Sequence, residues 1–146
     1  DYGWEITTEL ESAFEWVNIE KRSANHRKLL LQSKICVFPF ITTGYLQALA
    51  ADIPTVIFVD RGFSEFREDA VPLFKRLQNV GILHLSGKSA AEHVELVTDD
   101  VFDWWKSVEV VEARQQFLEA YGRTSKQWVK EWKEIRRFAL SINRNH

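Results

Sequence analysis

Residues 33–60, SKICVFPFITTGYLQALAADIPTVIFVD, decide the fold that the sequence predicts. Residues 35–38 and 55–59 are short apolar runs, which are typical of strands that are buried on both faces. Between them, residues 44–51 are mostly strong helix formers, and Pro54 limits this helix because the residue before a proline avoids the α region. Strand, helix and strand in this order predict a βαβ unit with a right-handed crossover.

The loop after the first of these strands is the part with chemical interest. In open parallel α/β sheets, ligands lie beyond the carboxyl ends of the strands, against helix N-termini. Here Thr42 and Thr43 supply hydroxyls at a helix N-terminus, and Gly44 lets a ligand approach the backbone. The free N–H groups and the helix dipole favour a phosphate or diphosphate there. The plainer interpretation is an ordinary N-cap followed by a turn glycine.

Length and composition limit the class of protein. The chain has 146 residues, of which 45% are hydrophobic and 27% charged, so one folded domain is expected rather than disorder. The formal net charge of −2 gives no case for nucleic-acid binding. The single cysteine, Cys36, falls in a predicted buried strand, which indicates a structural thiol and a reducing cytoplasm. No apolar run approaches the roughly 20 residues of a membrane span.

Short strands and helices alternate along the rest of the chain. The pattern predicts an α/β fold, with a Rossmann-like parallel sheet of about four to five strands flanked by helices. We expect one domain over residues 1–146, cut from a longer protein because the chain opens at Asp1 and contains no methionine. Further strands are predicted at residues 16–19 and 82–85. Further helices are predicted at residues 4–14, 24–32, 69–79, from a capping box at Ser89 and Glu92, and in a C-terminal pair at 108–121 and 125–142.

The last 55 residues separate charge by sign. Residues 92–112 are acidic and residues 123–146 are basic, which usually indicates solvated helix faces. The basic terminal helix is also compatible with an anionic membrane surface. A stripe at helical spacing in this segment is predicted to be core or interface; its members are Trp128, Trp132, Ile135 and Ala139.

Common catalytic motifs are absent from the sequence. It contains no GxxxxGK[ST], GxGxxG, HExxH or GxSxG pattern, and no acidic cluster at the spacing of a calcium loop. His84 and His93 lie in a predicted strand and helix, where structural histidines are the better interpretation. The residues themselves therefore assign no catalytic group and no metal site.

The central unit resembles the donor-side domain of GT-B glycosyltransferases, which carry a Gly- or Ser-bearing loop, a short helix and a Gly-x-Pro turn into the next strand. More closely, the chain resembles the C-terminal part of a family of bacterial transferases encoded with surface-carbohydrate genes. That resemblance is collinear over nearly the whole chain. It rests on the segments DYGWEI, TTGYLQALAADIPTVIF, FREDAVPLF, VGILH, AAEHV and ARQQFLEAYGRTS.

The resemblance implies a site for a nucleotide-activated donor. Thr42, Thr43 and Gly44 would then bind the diphosphate. Gln47 stands where GT-B enzymes often carry a glutamate for the ribose hydroxyls, and its amide can also bond a diol. Asp52 replaces the usual glycine of the Gly-x-Pro turn, and aspartate tolerates the left-handed conformation better than most residues.

Three charged residues follow the second strand of the central unit. Asp60 and Arg61 come directly after it, and Arg67 follows six residues later. The resemblance implies that they contact the ribose, the sugar or the departing diphosphate, since arginine can bind a diphosphate bidentately. The plainer alternative is that Asp60 caps the loop and that Arg67 pairs with Glu68 or Glu65 on the surface.

The resemblance also implies a function in surface polysaccharide biosynthesis. The chain would be the donor-binding half of a glycosyltransferase or related transferase, with a nucleotide-sugar donor, an N-terminal half that it lacks, and a glycan or lipid-linked acceptor as partners. No cofactor is implied, because helix dipoles and cationic side chains stabilise the leaving group in GT-B enzymes. The implied location is the cytoplasm, at the inner face of the membrane. The isolated chain is expected to be inactive.

Two alternatives remain open from the sequence. One is a non-catalytic α/β scaffold that binds a partner through Trp128 and Trp132. The other is a domain similar to nucleotide-sugar epimerases, which use a similar sheet and the same edge of it.

Overall fold

The computed structural model describes residues 6–20, 25–60, 66–122, 125, 127 and 129–135. The chain divides into two compact units, Asp1–Gln32 and Ser33–His146. The first unit contains helices α1 (Ile6–Ala13) and α2 (His26–Gln32).

The strand that the sequence predicts at residues 16–19 is not formed. Trp16 lies in a turn with 82% of its surface exposed, and the Val17 N–H donates to the carbonyl of Phe14 at 3.1 Å. This turn uses the N–H donor of Val17, which a strand ladder would need. The run contains aromatic and β-branched residues, which favour strands, but it does not form one.

The second unit is built on a small parallel sheet. Its strands are β1 (Cys36–Phe38), β2 (Thr55–Phe58) and β3 (Leu83–His84), in the spatial order β1-β2-β3. The α/β class is confirmed. The predicted count of about four to five strands is not, since the described residues contain three.

Helices connect and flank these strands. Helix α3 (Thr43–Ala50) links β1 to β2, and helix α4 (Val71–Asn79) links β2 to β3. After β3 come α5 (Gly87–Val97), α6 (Val101–Lys106) and α7 (Val108–Tyr121), and residues 129–135 are also helical.

The start of α5 differs from the prediction. Ser86, in extended conformation, is its N-cap, and its Oγ accepts from the Ser89 N–H at 3.2 Å. The predicted capping box at Ser89 and Glu92 is therefore wrong, and the helix begins three residues earlier. The physical reason is that Ser89 already lies in the first turn and its hydroxyl bonds to His84.

The two faces of the sheet carry different layers. Side chains alternate along a strand, so Ile57 and its register partner Leu83 point to the same face. They join a buried core that is contributed largely by α3, α4 and α7, whereas α5 packs on β2 and β3 from the other face, with Gly87 against the Phe58 ring. The members of the core are Tyr45, Leu49, Ile57, Ala70, Phe74, Leu77, Ile82, Leu83, Trp105, Val110, Ala113 and Phe117.

The predicted C-terminal apolar stripe is not part of this core. Trp132 is 64% exposed and Ile135 is 58% exposed. Trp128 and Ala139 lie outside the described residues. An interface role for the stripe stays a prediction.

Four hydrogen bonds tie the segment 98–105 to the residues that precede the three strands, and we call this set the amino-edge clasp. They join Lys34 Nζ to the carbonyl of Thr98 at 2.6 Å, Trp104 Nε1 to the carbonyl of Val80 at 2.9 Å, and Trp105 Nε1 to the Oδ1 and the carbonyl of Asp52 at 2.9 and 3.2 Å. The end of α5 and the short helix α6 thus support the edge of the sheet at which its strands begin.

Candidate functional site

The N-terminus of α3 lies at the carboxyl edge of the sheet, directly after β1. Thr42 is the N-cap residue, with φ −137° and ψ 172°. Within the described part of the chain, its side chain makes no capping hydrogen bond. The first N–H groups of a helix have no acceptor within the helix, so this end of α3 offers unpaired donors and the positive end of the helix dipole.

Gly44 is required here by close packing. A Cβ at this position would lie 3.0 Å from Cε1 of Phe38 and 3.4 Å from Oγ1 of Thr42. The missing side chain therefore brings the first turn of α3 against the last residue of β1.

The other residues predicted to bind the nucleotide-activated donor lie on α3 and after β2. Gln47 is exposed and lies one helical turn after Gly44, which places the two on the same face of α3. Asp60 is exposed and comes two residues after β2, the neighbour of β1 in the parallel sheet. The carboxyl ends of adjacent parallel strands meet at one edge, so Asp60 shares the edge that holds Thr42 and Gly44. Arg61 lies outside the described residues.

Arg67 is engaged by a surface carboxylate. Its Nε and Nη2 bond to the two carboxylate oxygens of Asp69 at 3.0 and 2.7 Å. These hydrogen bonds and the charge of Asp69 raise the pKa of the guanidinium further above its usual range. The partner is thus Asp69 rather than Glu68, and a ligand phosphate would have to displace it.

The carboxyl end of β3 carries a serine and a histidine that the sequence did not single out as a pair. The Nδ1 atom of His84 lies 2.9 Å from Oγ of Ser89, and its Nε2 atom lies 2.9 Å from the carbonyl oxygen of Gly81. A spacing of five residues carries no motif signal. The pairing depends on the turn between β3 and α5, which only the structure defines.

Asp52 confirms the predicted tolerance of a left-handed turn, with φ 58°. Its Oδ1 accepts hydrogen bonds from Trp105 and from Arg114, whose guanidinium lies 4.0 Å from the centre of the Trp105 ring. These partners come 53 and 62 residues later in the chain, so no local pattern could predict them. The cluster lies at the amino edge, where the strands begin, and it is structural.

Other candidate features lie away from the carboxyl edge or have a structural explanation. Cys36 is buried, and burial raises the pKa of its thiol, which agrees with a structural role. A shallow pocket of about 190 Å³ lies between α4 and α7, lined by Arg76, Asn79, Val80, Glu109, Glu112 and Ala113.

Neither a metal-binding cluster nor a membrane-spanning helix occurs within the described residues. They contain no group of three or more His, Cys, Asp or Glu side chains that could hold a metal ion. None of the described helices has the length and apolar character to cross a membrane.

Comparison with known proteins gave a match at the level of a family. The model of a family described as LIC12162 family transferase matches residues 1–135. Neither curated proteins nor solved structures gave a match. The matched region contains every described residue, from α1 to the helical residues 129–135.

Proposed function

The chain belongs to the LIC12162 family of transferases, and from this membership we propose that it is the nucleotide-sugar-binding half of a GT-B-type glycosyltransferase or related transferase. The transferred group would be added to a surface polysaccharide. The donor would lie at the carboxyl edge of the sheet, with its diphosphate at Thr42, Thr43 and Gly44.

The observation that carries this proposal is the N-terminus of α3. It follows the parallel strand β1, in which Cys36 is buried and Val37 is exposed, and the Thr42 hydroxyl is not consumed as a cap within the described residues. Backbone N–H groups and the helix dipole at such a position bind anions without any metal. A nucleoside diphosphate presents both a dianion for this helix end and a ribose diol for a polar side chain such as Gln47 one turn further along.

The remaining donor contacts are proposed for the residues after β2. Asp60 would accept hydrogen bonds from sugar or ribose hydroxyls, and Arg61 would approach the diphosphate. Arg67 would join only by exchanging Asp69 for the donor, because its guanidinium is already bound at two points. Such an exchange would couple donor binding to the position of the turn that leads into α4.

We propose the remaining partners from the same resemblance. They are an N-terminal half that completes the transferase and a glycan or lipid-linked acceptor at the cytoplasmic face of the membrane. Catalysis by this chain alone is not expected.

A second candidate function is a non-catalytic interaction module. It is favoured by the exposed apolar side chains of Val129, Trp132 and Ile135, which recur every three residues on the helical segment 129–135. Apolar surface at helical spacing fits a groove on a partner protein. This alternative requires no nucleotide.

Titration of the chain with UDP, GDP, CDP and ADP, followed by NMR or calorimetry, tests the proposal. We expect one of the four to bind, and Gly44→Ala to weaken that binding by about tenfold or more, which corresponds to about 1.4 kcal/mol. Gly87→Ala is the matched control, because it places a methyl group in the first turn of α5 at an ordinary 3.4 Å from Phe58.

The outcomes separate the candidates. Equal loss of affinity in both glycine variants would mean that the nucleotide does not bind at the N-terminus of α3. Failure of all four nucleotides on a chain shown by circular dichroism to be folded would favour the interaction module. If a nucleotide binds, its affinity for a Thr42→Val variant measures how much the Thr42 hydroxyl contributes to binding.

A further inference from the structure

The carboxyl end of β3 places a buried histidine behind an exposed serine. His84 is the last residue of β3 and is 9% exposed, whereas Ser89 is exposed in the first turn of α5. Nδ1 of His84 and Oγ of Ser89 are 2.9 Å apart. The imidazole is therefore held inside the fold, whereas the serine to which it bonds is an exposed residue.

The hydrogen bonds fix the protonation of the neutral imidazole. The carbonyl of Gly81, 2.9 Å from Nε2, can only accept, so Nε2 carries the proton. In that tautomer Nδ1 is an acceptor, and the Ser89 hydroxyl must donate to it. A hydroxyl that donates to an oriented imidazole has the arrangement of a nucleophile with its general base.

The surroundings favour negative charge that develops next to this hydroxyl. Ser89 is the third residue of α5, and the N–H groups of Gly87 and Lys88 have no acceptor within the helix. The Ser89 N–H itself is bound by the Ser86 cap. The helix end thus provides backbone donors and the positive pole of its dipole where an oxyanion would form.

His93, the neighbour of His84, does not repel a positive charge on the His84 imidazole. The His93 ring lies 5.1 Å from the His84 ring, centre to centre. Burial and the proximity of His84 lower the pKa of His93, which is therefore neutral at pH 7. His84 can accept a proton without a second cation beside it.

We propose that Ser89 is a nucleophile with His84 as its general base, and that this edge accepts an acyl group from an activated ester. Ser89 Oγ bonds to the carbonyl carbon, its proton passes to His84 Nδ1, and the bond from that carbon to the leaving oxygen breaks as the leaving group takes up the proton. An acceptor hydroxyl or water then releases the acyl group by the reverse proton transfers. This site is separate from the donor loop at α3 and does not depend on the nucleotide proposal.

An alkyl fluorophosphonate tests the pair on the chain as it exists. Attack by Ser89 would form a phosphorus–oxygen bond, expel fluoride and pass the serine proton to His84, and mass spectrometry of peptides would locate the adduct. We expect labelling at Ser89, none in Ser89→Ala, and labelling slower by about 100-fold in His84→Gln, since a general base contributes at least that factor. Ser86→Ala is the matched control and should still be labelled, because it changes the cap and keeps the pair.

Unfolding provides an internal control that does not depend on any variant folding. Wild-type chain in urea should lose the labelling, since the base is then no longer beside the serine. Labelling that is equal in folded and unfolded chain, labelling at another residue, or none in the folded chain would each overturn the proposal. The serine–histidine contact would then serve only to join α5 to β3.

Discussion

Asp52 shows how one residue can replace the glycine of a tight turn. Its left-handed backbone, φ 58°, costs an L residue about 1–2 kcal/mol. The carboxylate offsets this cost because it accepts hydrogen bonds from Trp105 and from Arg114, whose side chain is only 10% exposed. Within the described residues the Nε of Arg114 has no partner, so Asp52 is the ion-pair partner of an otherwise buried charge.

We expect Asp52→Ala to lower the free energy of unfolding by about 2–3 kcal/mol. The variant loses the carboxylate bond from Trp105, keeps the bond from Trp105 to the carbonyl of residue 52, and leaves Arg114 buried without its anion. Bonds to charged groups contribute about 1.5–3 kcal/mol each. Urea unfolding followed by fluorescence measures the change. Asp99→Ala, at an exposed turn, is the control and should stay within about 0.5 kcal/mol of wild type.

His93 should make stability depend on pH. Burial, and then the charge of His84, lower its pKa in the folded state below the value of about 6.5 in the unfolded chain. Its contribution is therefore fully present above about pH 6.5 and is lost as the pH falls through the lower, folded-state pKa. Urea unfolding at pH 5.5 and 7.5 should show a smaller difference in His93→Gln than in wild type.

The exposed His26 provides the control for this measurement. His26→Gln, at an exposed position, should keep the full pH dependence of wild type. An unchanged pH dependence in His93→Gln would assign the effect to other groups.

Among the elements, α7 does most to close the core. Its Phe117 is fully buried and lies 5.0 Å from the ring of Phe74 on α4 and 6.2 Å from that of Tyr45 on α3, centre to centre. Burial, with a smaller effect of Tyr121, raises the pKa of Tyr45 to about 12, as expected for a phenol in a dry aromatic cluster. One residue thus joins three helices over one face of the sheet.

Phe117→Ala should lower the free energy of unfolding by about 3 kcal/mol or more, because it removes a buried ring and leaves a cavity between α3, α4 and α7. Phe102→Ala on α6 is the matched control, since that ring is 54% exposed and its loss opens no cavity. Chemical denaturation of both variants gives the comparison. Equal effects in the two would mean that the packing of α7 does not stabilise the fold.

Helices were predictable where apolar periodicity was strong. Residues 108–121 form a helix with the predicted bounds, and Pro72 lies in the first turn of α4, where proline is tolerated. Gly81 has φ +78°, which is common for the residue that follows a helix. α6 was missed because its six residues sit in an acidic stretch that is typical of solvated surface, although Trp105 is buried.

At the scale of the whole molecule, the sequence could predict which loop lies at the carboxyl edge of the sheet. It could not predict which side chains from other elements contact one another. Local chemistry fixes the βαβ unit of residues 33–60 and hence the position of Thr42, Thr43 and Gly44. The contacts of Asp52 and the pairing of Ser89 with His84 arise from the packing of elements, which no local pattern encodes. The strand at residues 16–19 was predicted from its propensity and failed because a strand also needs a partner.

The amino-edge clasp has a consequence for how this fold can be altered. Each strand is anchored just before it begins, through Lys34, Asp52 or Val80, so the amino edge of the sheet is held by contacts from distant parts of the chain. Loops on the opposite side can therefore be lengthened, shortened or exchanged without shifting the strands that carry them. A library that randomises residues 39–43 and 85–88 would sample new specificities on an unchanged frame, whereas the same diversity at Trp104 and Trp105 would yield mostly unfolded variants.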